Sequence, residues 1–225
     1  MIIYIMIDNT YYIHYIFLDI GLGDLDTRTD YLLNIKHNCQ FYPDYKIWRD
    51  LDILGLIDNH YPDLKDRIFN MPYTYLVDFA RPLILNLYNG FYSDLDVRIN
   101  KKIPEDKEIV HSLYTYPTTK KTILGNSLFK LPQDKYYPFI IYCLNEYDRV
   151  DKIEVYKTWK YRKLLQTVGG YSLKRFGKIH NLKFDFDFYN YCVEDNTAQV
   201  LVAITDGKQK GLGGMIPLNT IDESM

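Results

Sequence analysis

Two hydrophobic periods alternate along this chain, and their order sets the expected fold. Tyr11–Leu18, YYIHYIFL, is a β-branched and aromatic run of strand length ended by Gly21 and Gly23, and it is expected to form the first, central strand. Asp24–Cys39 follows with helical spacing, Asp26 or Thr27 as its N-cap and Leu32, Leu33 and Ile35 among its apolar positions. Asp50–His60 reads as a short helix and Pro62–Met71 as a charged connection. The apolar run Leu83–Leu87 is closed by Gly90. A proline inside a helix removes a hydrogen bond and clashes with the turn before it, so Pro82 is expected at the first position of a helix running to about Asn89.

Beyond that segment, Val97–Ile99 is expected as strand and Pro104–Asp106 as a turn, with further strands over Glu108–Tyr116 and Thr122–Leu131. Pro138–Arg149 and Glu154–Thr167 have helical spacing, the second stopped by Gly169 and Gly170. Lys183–Phe188 alternates, with Leu182, Phe184, Phe186 and Phe188 on one side, as a half-buried strand does. Val200–Ile204 is expected as a last buried strand. The basic, glycine-rich stretch Asp206–Gly214 reads as a flexible loop that does not match the G-x-x-x-x-G-K-[ST] phosphate loop, and residues after about 215 as a flexible tail. This succession predicts a single α/β domain with parallel pairing, whose ligands would gather at the carboxyl ends of the strands.

Composition narrows the function. The net charge is -2 and the basic residues are dispersed, so nucleic-acid binding has no electrostatic support. The 23 tyrosines reflect a general bias towards Tyr, Ile, Asn and Lys, and only a few can serve as stacking platforms for a sugar. Cys39, Cys143 and Cys192 are odd in number and widely spaced, which argues against a disulfide framework and for a reducing compartment. Asp8, Asn9, His14 and Asp19 interrupt the apolar start of the chain and no basic segment precedes it, so a soluble, cytoplasmic chain without a transmembrane segment is expected.

Asp94-Leu95-Asp96 carries the chemistry. On an extended segment the two carboxylates would face one side and Leu95 the other. Hard oxygen ligands of this kind suit Mg²⁺ or Mn²⁺, completed by substrate phosphates. A bare D-x-D is also what a solvated acidic turn looks like.

Asp78, Arg81, Gly90, Tyr92, Asp94 and Asp96 together resemble the D-x-x-R…GG-x-Y-x-D-x-D signature of the DXD glycosyltransferase family that includes yeast initiating mannosyltransferase-like enzymes and the catalytic domains of clostridial glucosylating toxins. The register fits without an insertion; Asn89 replaces the first Gly of the pair and Pro82 directly follows the Arg. Ile13, His14, Ile16 and Phe17 are similar to the family's opening strand. Pro43–Trp48 resembles its element in which a second strand runs into a helix, and Gly125-Asn126-Ser127 resembles its asparagine-bearing segment beside the donor or acceptor pocket. Thr167–Gly170 stands imperfectly at a family turn and is given a structural role, and His14 is read as a satisfied histidine of the sheet.

The resemblance implies a GT-A-type fold with a Rossmann-like central mixed sheet flanked by helices. It also implies a retaining transfer of sugar from a nucleotide-sugar donor to a glycan or glycoprotein acceptor. Asp96 would hold Mn²⁺ or Mg²⁺, and Asp94 would share the metal or bridge donor hydroxyls. Asp78 and Arg81 would hold the donor sugar, Phe17 and Tyr92 would frame base or ribose, and Asn126 would line the pocket. The family's C-terminal closing element has no counterpart, although Lys208 and Lys210 offer charge for a diphosphate. Two alternatives stay open. One is a glycosyltransferase-like binding protein without turnover. The other is a haloacid-dehalogenase-type phosphohydrolase with Asp94 as nucleophile and Asp96 as acid/base, whose motif the chain leaves at Arg98.

Overall fold

The computed structural model describes residues 8–18, 24–71, 73–105, 110–115, 122–151, 167–184, 188–194, 203–205 and 208–210. Strand β1 (Asp8–Ile16) pairs in parallel on both sides, with β2 (Tyr45–Trp48) and with β3 (Tyr88–Ser93). On the far side of β3 the direction reverses, since β6 (Thr122–Lys130) runs antiparallel to β3 and β5 (Val110–Thr115) antiparallel to β6. The resulting mixed sheet has the order β2-β1-β3-β6-β5, so the centre is β3 and not the first strand. Hydrophobicity predicts that β1 is buried on both faces; it carries no information on which later strand will take the middle position.

Both faces of this sheet are covered, which is why its strands read as continuous apolar runs. Ile13, Tyr15 and Phe17 enter a cluster with Leu25, Ile35, Phe91, Val97 and Ile99 on the side of helix α1 (Thr29–Asn38) and strand β4 (Val97–Ile99). Ile16 and Leu18 enter a larger cluster under α2 (Asp50–His60), α3 (Pro62–Phe69), α4 (Tyr73–Leu87), α5 (Tyr136–Asp151) and α6 (Gly170–Ile179). A short helix α7 (Phe188–Tyr191) leads into β7 (Cys192–Glu194), which pairs antiparallel with β4. The α/β class with helices flanking a central mixed sheet is as expected.

Several elements differ from expectation. Pro62–Met71 is mostly helix: Pro62 is its first residue, and Leu64 and Ile68, four apart, are buried beneath a charged outer face. Helix α4 runs through Pro82 instead of starting there, so Asp78 and Arg81 lie within it. Its apolar positions Tyr75, Leu76, Phe79, Ala80, Leu83, Ile84 and Leu87 continue in helical register past the proline, and their burial outweighs a penalty of about 3 kcal/mol. In α1 the buried residues are Asn34, Ile35 and Asn38, whereas Leu33 is 61% exposed.

The strand expected over Lys183–Phe188 is absent where the structure is described. Asn181 adopts a left-handed conformation after α6, the Leu182 N–H donates to the Gly177 carbonyl at 2.8 Å, and the ring of Phe184 lies on Gly177. These apolar side chains therefore close a helix end; Phe188 begins α7, and Asp185–Asp187 lie outside the described residues. Gly170 opens α6 instead of ending a helix, while the helix expected over Glu154–Thr167 lies almost wholly outside the described residues. Lys208–Lys210, expected in a loop, is strand β9, paired antiparallel with β8 (Ala203–Thr205).

At one point the sheet demands glycine. Strand β1 carries an irregularity between Asp8 and Tyr12 opposite β3, and there Gly90 adopts φ 124°. A Cβ at Gly90 would stand 1.9 Å from the Tyr12 carbonyl oxygen, so no side chain fits.

Candidate functional site

Arg81 of α4 is the centre of a polar constellation under the end of β3. Its Nη1 forms an ion pair with Asp78 Oδ1 at 2.9 Å and donates to the Asn126 carbonyl at 3.2 Å, and its Nη2 donates to Asp94 Oδ1 at 3.2 Å. The guanidinium lies 4.6 Å from the centre of the Tyr92 ring, and the Tyr92 hydroxyl donates to the same Asp94 oxygen at 2.5 Å. Asn126 completes the set by donating from Nδ2 to Asp78 Oδ1 at 2.9 Å. Residues 78, 81, 92, 94 and 126, grouped beforehand by motif alone, are therefore one network built from three elements.

Local structure explains the convergence. Asp78 and Arg81 are three apart on one helix, and share a face of α4. Tyr92 points from β3 towards α4, since its neighbour Phe91 points into the opposite cluster. Asn126 is turned in by a bulge. The pairs His111–Phe129 and Ser112–Gly125 are consecutive on β5, but on β6 they enclose Asn126, Ser127 and Leu128, which have no opposite number there. The excursion brings the Ser127 carbonyl to the Asp94 N–H at 2.7 Å.

Burial tunes the charges. Asp78 has its carboxyl pushed above the usual range chiefly by burial, with Arg81 and the Asn126 amide opposing and Asp94 adding to the rise. Burial works against the charge on Arg81, but Tyr92, Asp78 and Asp94 outweigh it and the guanidinium stays charged. The Arg81 Nε–H is buried and has no hydrogen-bond partner among the described residues. Arg81, Asp78 and Asn126 form the polar wall of a small recess whose other wall includes Phe129, Phe139 and Leu173. The recess has room for about one water, so its unsatisfied donor suits a single small oxygen-bearing group and not a whole sugar ring.

The two carboxylates of the D-x-D are not on an extended segment. Leu95 and Asp96 form a turn between β3 and β4, closed by the Val97 N–H on the Asp94 carbonyl at 3.2 Å. The expected same-side arrangement of a strand therefore does not apply. Asp94 is drawn to α4, whereas Asp96 lies near Tyr31 of α1, whose phenol is pushed up by burial and in smaller part by the Asp96 and Asp30 carboxylates.

Helix α1 holds this turn with residues that motif reasoning missed. Asn34 Nδ2 donates to the Leu95 carbonyl at 3.2 Å. Asn38 donates to the Val97 carbonyl at 2.9 Å and to Tyr15 Oη at 3.0 Å, and accepts the Ile99 N–H at 2.7 Å. The available signal was a pair of asparagines four apart inside an apolar helix face, which is costly unless both amides are hydrogen-bonded.

Phe17 lies elsewhere, just past the carboxyl end of β1, and is 2% exposed. Tyr31 meets it edge-on at 6.4 Å and the Arg49 guanidinium covers its ring at 4.9 Å. His14 is the satisfied histidine expected. Its Nε2 bonds the Asn89 carbonyl at 3.0 Å, Trp48 donates to its Nδ1 at 3.2 Å, and burial above all lowers its pKa to about 4.

For a divalent cation, the donor chemistry fits in part. Among the described residues no group of three His, Cys, Asp or Glu converges. Asp94 commits Oδ1 to Arg81 and Tyr92, which leaves its other oxygen and the half-buried Asp96 as hard ligands. Mg²⁺ and Mn²⁺ need no more than one or two carboxylates when phosphate oxygens complete the shell. Among the described residues, no helix is long and apolar enough to cross a membrane.

No protein-family model matches the chain, and the comparison with curated proteins finds no match either. Among solved structures the chain is similar to one titled PaToxG Glycosyltransferase, with a TM-score of 0.46 and 15% identity over 75% of this chain and 68% of that one.

Proposed function

We propose that the chain is a glycosyltransferase of GT-A type. It would move a sugar, with retention, from a nucleotide-sugar donor to a hydroxyl of a glycan or glycoprotein, with a UDP-sugar the favoured donor and a GDP-sugar the second choice. The observation that carries this reading is the buried network of Asp78, Arg81, Tyr92, Asp94 and Asn126, which joins α4, β3 and β6 at the carboxyl end of a parallel strand. It supports the motif resemblance because segments with no local reason to meet bring together the side chains that the signature groups.

In the reaction, the bond from the anomeric carbon to the diphosphate oxygen breaks and the acceptor oxygen bonds to the same face of that carbon. The acceptor proton passes to the departing phosphate, so no separate general base is required. Asp78 and Arg81 would hold the donor sugar, as the motif resemblance implies. Asp96, with the second oxygen of Asp94, would hold Mn²⁺ or Mg²⁺. Bound there, the cation supplies Lewis-acid neutralisation of the leaving diphosphate, on the order of several kcal/mol. The Arg81 pair and the Tyr92 hydroxyl on Asp94 Oδ1 count against a nucleophilic Asp94, the role a phosphohydrolase would give it.

The test is thermal shift against nucleoside diphosphates and nucleotide sugars, each with and without Mn²⁺. A donor at ~100 times its dissociation constant adds about 2.7 kcal/mol, a shift of several degrees. Asp96→Ala should abolish the metal-dependent part and keep the melting temperature of the free protein. A variant that retains the wild-type metal-dependent shift would show that the carboxylate assignment is wrong. Release of nucleoside diphosphate with transfer to an acceptor separates an enzyme from a binding protein.

A further inference from the structure

The D-x-D turn is fastened peptide by peptide. The Asp94 N–H donates to the Ser127 carbonyl at 2.7 Å and the Val97 N–H to the Asp94 carbonyl at 3.2 Å, so residues 94–97 form a β-turn whose middle peptide joins Leu95 to Asp96. The carbonyl of that middle peptide accepts Asn34 Nδ2 at 3.2 Å, and the Val97 carbonyl below it accepts Asn38 Nδ2 at 2.9 Å. Asn34 therefore holds the peptide from which Asp96 emerges.

The middle peptide of a β-turn has two orientations. Rotating it by about half a turn exchanges a negative φ at the third residue for a positive one. Asp96 is the third residue, and it does not have a positive φ. Aspartate is among the residues that tolerate the alternative, so sterics alone do not choose between the two. Because the peptide unit is planar, a donor fixed on the Leu95 oxygen also fixes the direction in which the chain enters Asp96. In the rotated turn the Leu95 oxygen would leave Asn34, and the Asp96 carboxylate would point away from its place near Tyr31.

Helix α1 gives up core packing to keep Asn34 there. It turns Asn34, 4% exposed, and Asn38 inward and leaves Leu32 and Leu33 exposed. A leucine in the inward position would bury apolar surface and leave no polar group to satisfy. A residue choice that opposes burial in this way is the mark of a functional position.

We propose that Asn34 is the positioning residue of the D-x-D turn: it locks the Leu95–Asp96 peptide so that the Asp96 carboxylate is set, before any ligand arrives, for a divalent cation bound together with a nucleoside diphosphate. This rests on the nucleotide-sugar reading and deepens it by naming the residue that presets its cation site.

Titration calorimetry of the full chain with uridine diphosphate and guanosine diphosphate, each in Mn²⁺ and in EDTA, tests it alongside the melting temperature of the metal-free chain. Asn34→Leu should weaken Mn²⁺-dependent binding of the better nucleotide by about tenfold or more, as loss of a group that orients a metal ligand does. Its binding in EDTA and its melting temperature should stay near wild type. Asn34→Asp keeps the shape without the N–H donors and should weaken binding similarly. Wild-type Mn²⁺-dependent affinity in Asn34→Leu overturns the inference, whether or not the melting temperature falls, since the residue is then at most structural. Tighter Mn²⁺-dependent binding by Asn34→Asp also overturns it, because Asn34 would then itself be a ligand. Backbone NMR of the wild type keeps the test usable if neither variant folds. A negative φ at Asp96 that persists when Mg²⁺ and the nucleotide are added is expected, and a change of sign overturns the inference, since the ligand would then set the turn. A wild-type chain that binds neither nucleotide overturns the nucleotide-sugar reading itself.

Discussion

Replacing Arg81 with methionine isolates the energetics of the buried network. The Arg81 and Asp78 side chains are 10% and 12% exposed, so the variant strands the Asp78 carboxylate in the protein with the Asn126 amide as its remaining donor. Removing one partner of a buried ion pair costs about 3–5 kcal/mol. Asp94, 30% exposed, can rehydrate and adds little. Against a total stability of about 5–15 kcal/mol this is severe. In urea, with a slope of about 3 kcal/mol per molar, the midpoint should fall by about 1 M or more.

The pH dependence carries a sign. Burial already raises the Asp78 pKa above its unfolded value. The folded state then binds the extra proton, so this stability is full below the unfolded pKa and is lost as pH rises through the folded pKa. Without Arg81 that window widens upwards, and the deficit of the variant relative to wild type should shrink between pH 7 and about pH 4. Adding Asp78→Asn to the variant should recover most of the loss, measured as a double-mutant cycle. A loss below about 1 kcal/mol at pH 7, or a deficit that does not change with pH, would refute the buried-pair reasoning.

His14 gives the opposite slope. Its folded pKa of about 4 lies below the unfolded 6.5, so the unfolded chain binds the proton first and stability should fall by up to about 3 kcal/mol from pH 6.5 to pH 4. His14→Gln should flatten that part of a urea-midpoint profile; an unchanged slope would mean another group is responsible. Gly90→Ala adds a Cβ 1.9 Å from a main-chain oxygen at φ 124°, and should cost more than the 1–3 kcal/mol typical of strained backbone alone. Its thermal midpoint should drop by about 5 °C or more, and a drop of a degree or two would show that the β1–β3 contact yields easily.

Local pattern made most elements legible, but not their order. The apolar run of β1, the spacing of α2 and α5 and the strands around residues 110 and 125 follow from period and propensity. Strand order depends on which segments bury each other, and the reversal at β6 has no local signature. Where expectation failed, a tertiary term won. The core face of α4 carried helix through Pro82, the apolar side chains at 182 and 184 were spent on a helix end, and buried amides displaced leucines on α1. At the site, the motif named the residues that meet around Arg81, because side-chain chemistry at fixed spacing survives without knowledge of the fold. It misjudged the turn at Leu95, which is held by Asn34 from far along the chain, and could not foresee that Arg49 covers Phe17, two residues also distant in sequence.

The turn at Leu95 also joins two mechanical halves. Asp94 is tethered to the helices packed on one face of the sheet, and Asp96 lies beside the helix packed on the other. A ligand gripping both carboxylates would act as a rivet through the sheet edge, so that local opening of α4 and of α1 would no longer be independent. Hydrogen exchange would register this as amide protection rising together in two helices that share no contact cluster, far more widely than the handful of side chains a ligand could touch.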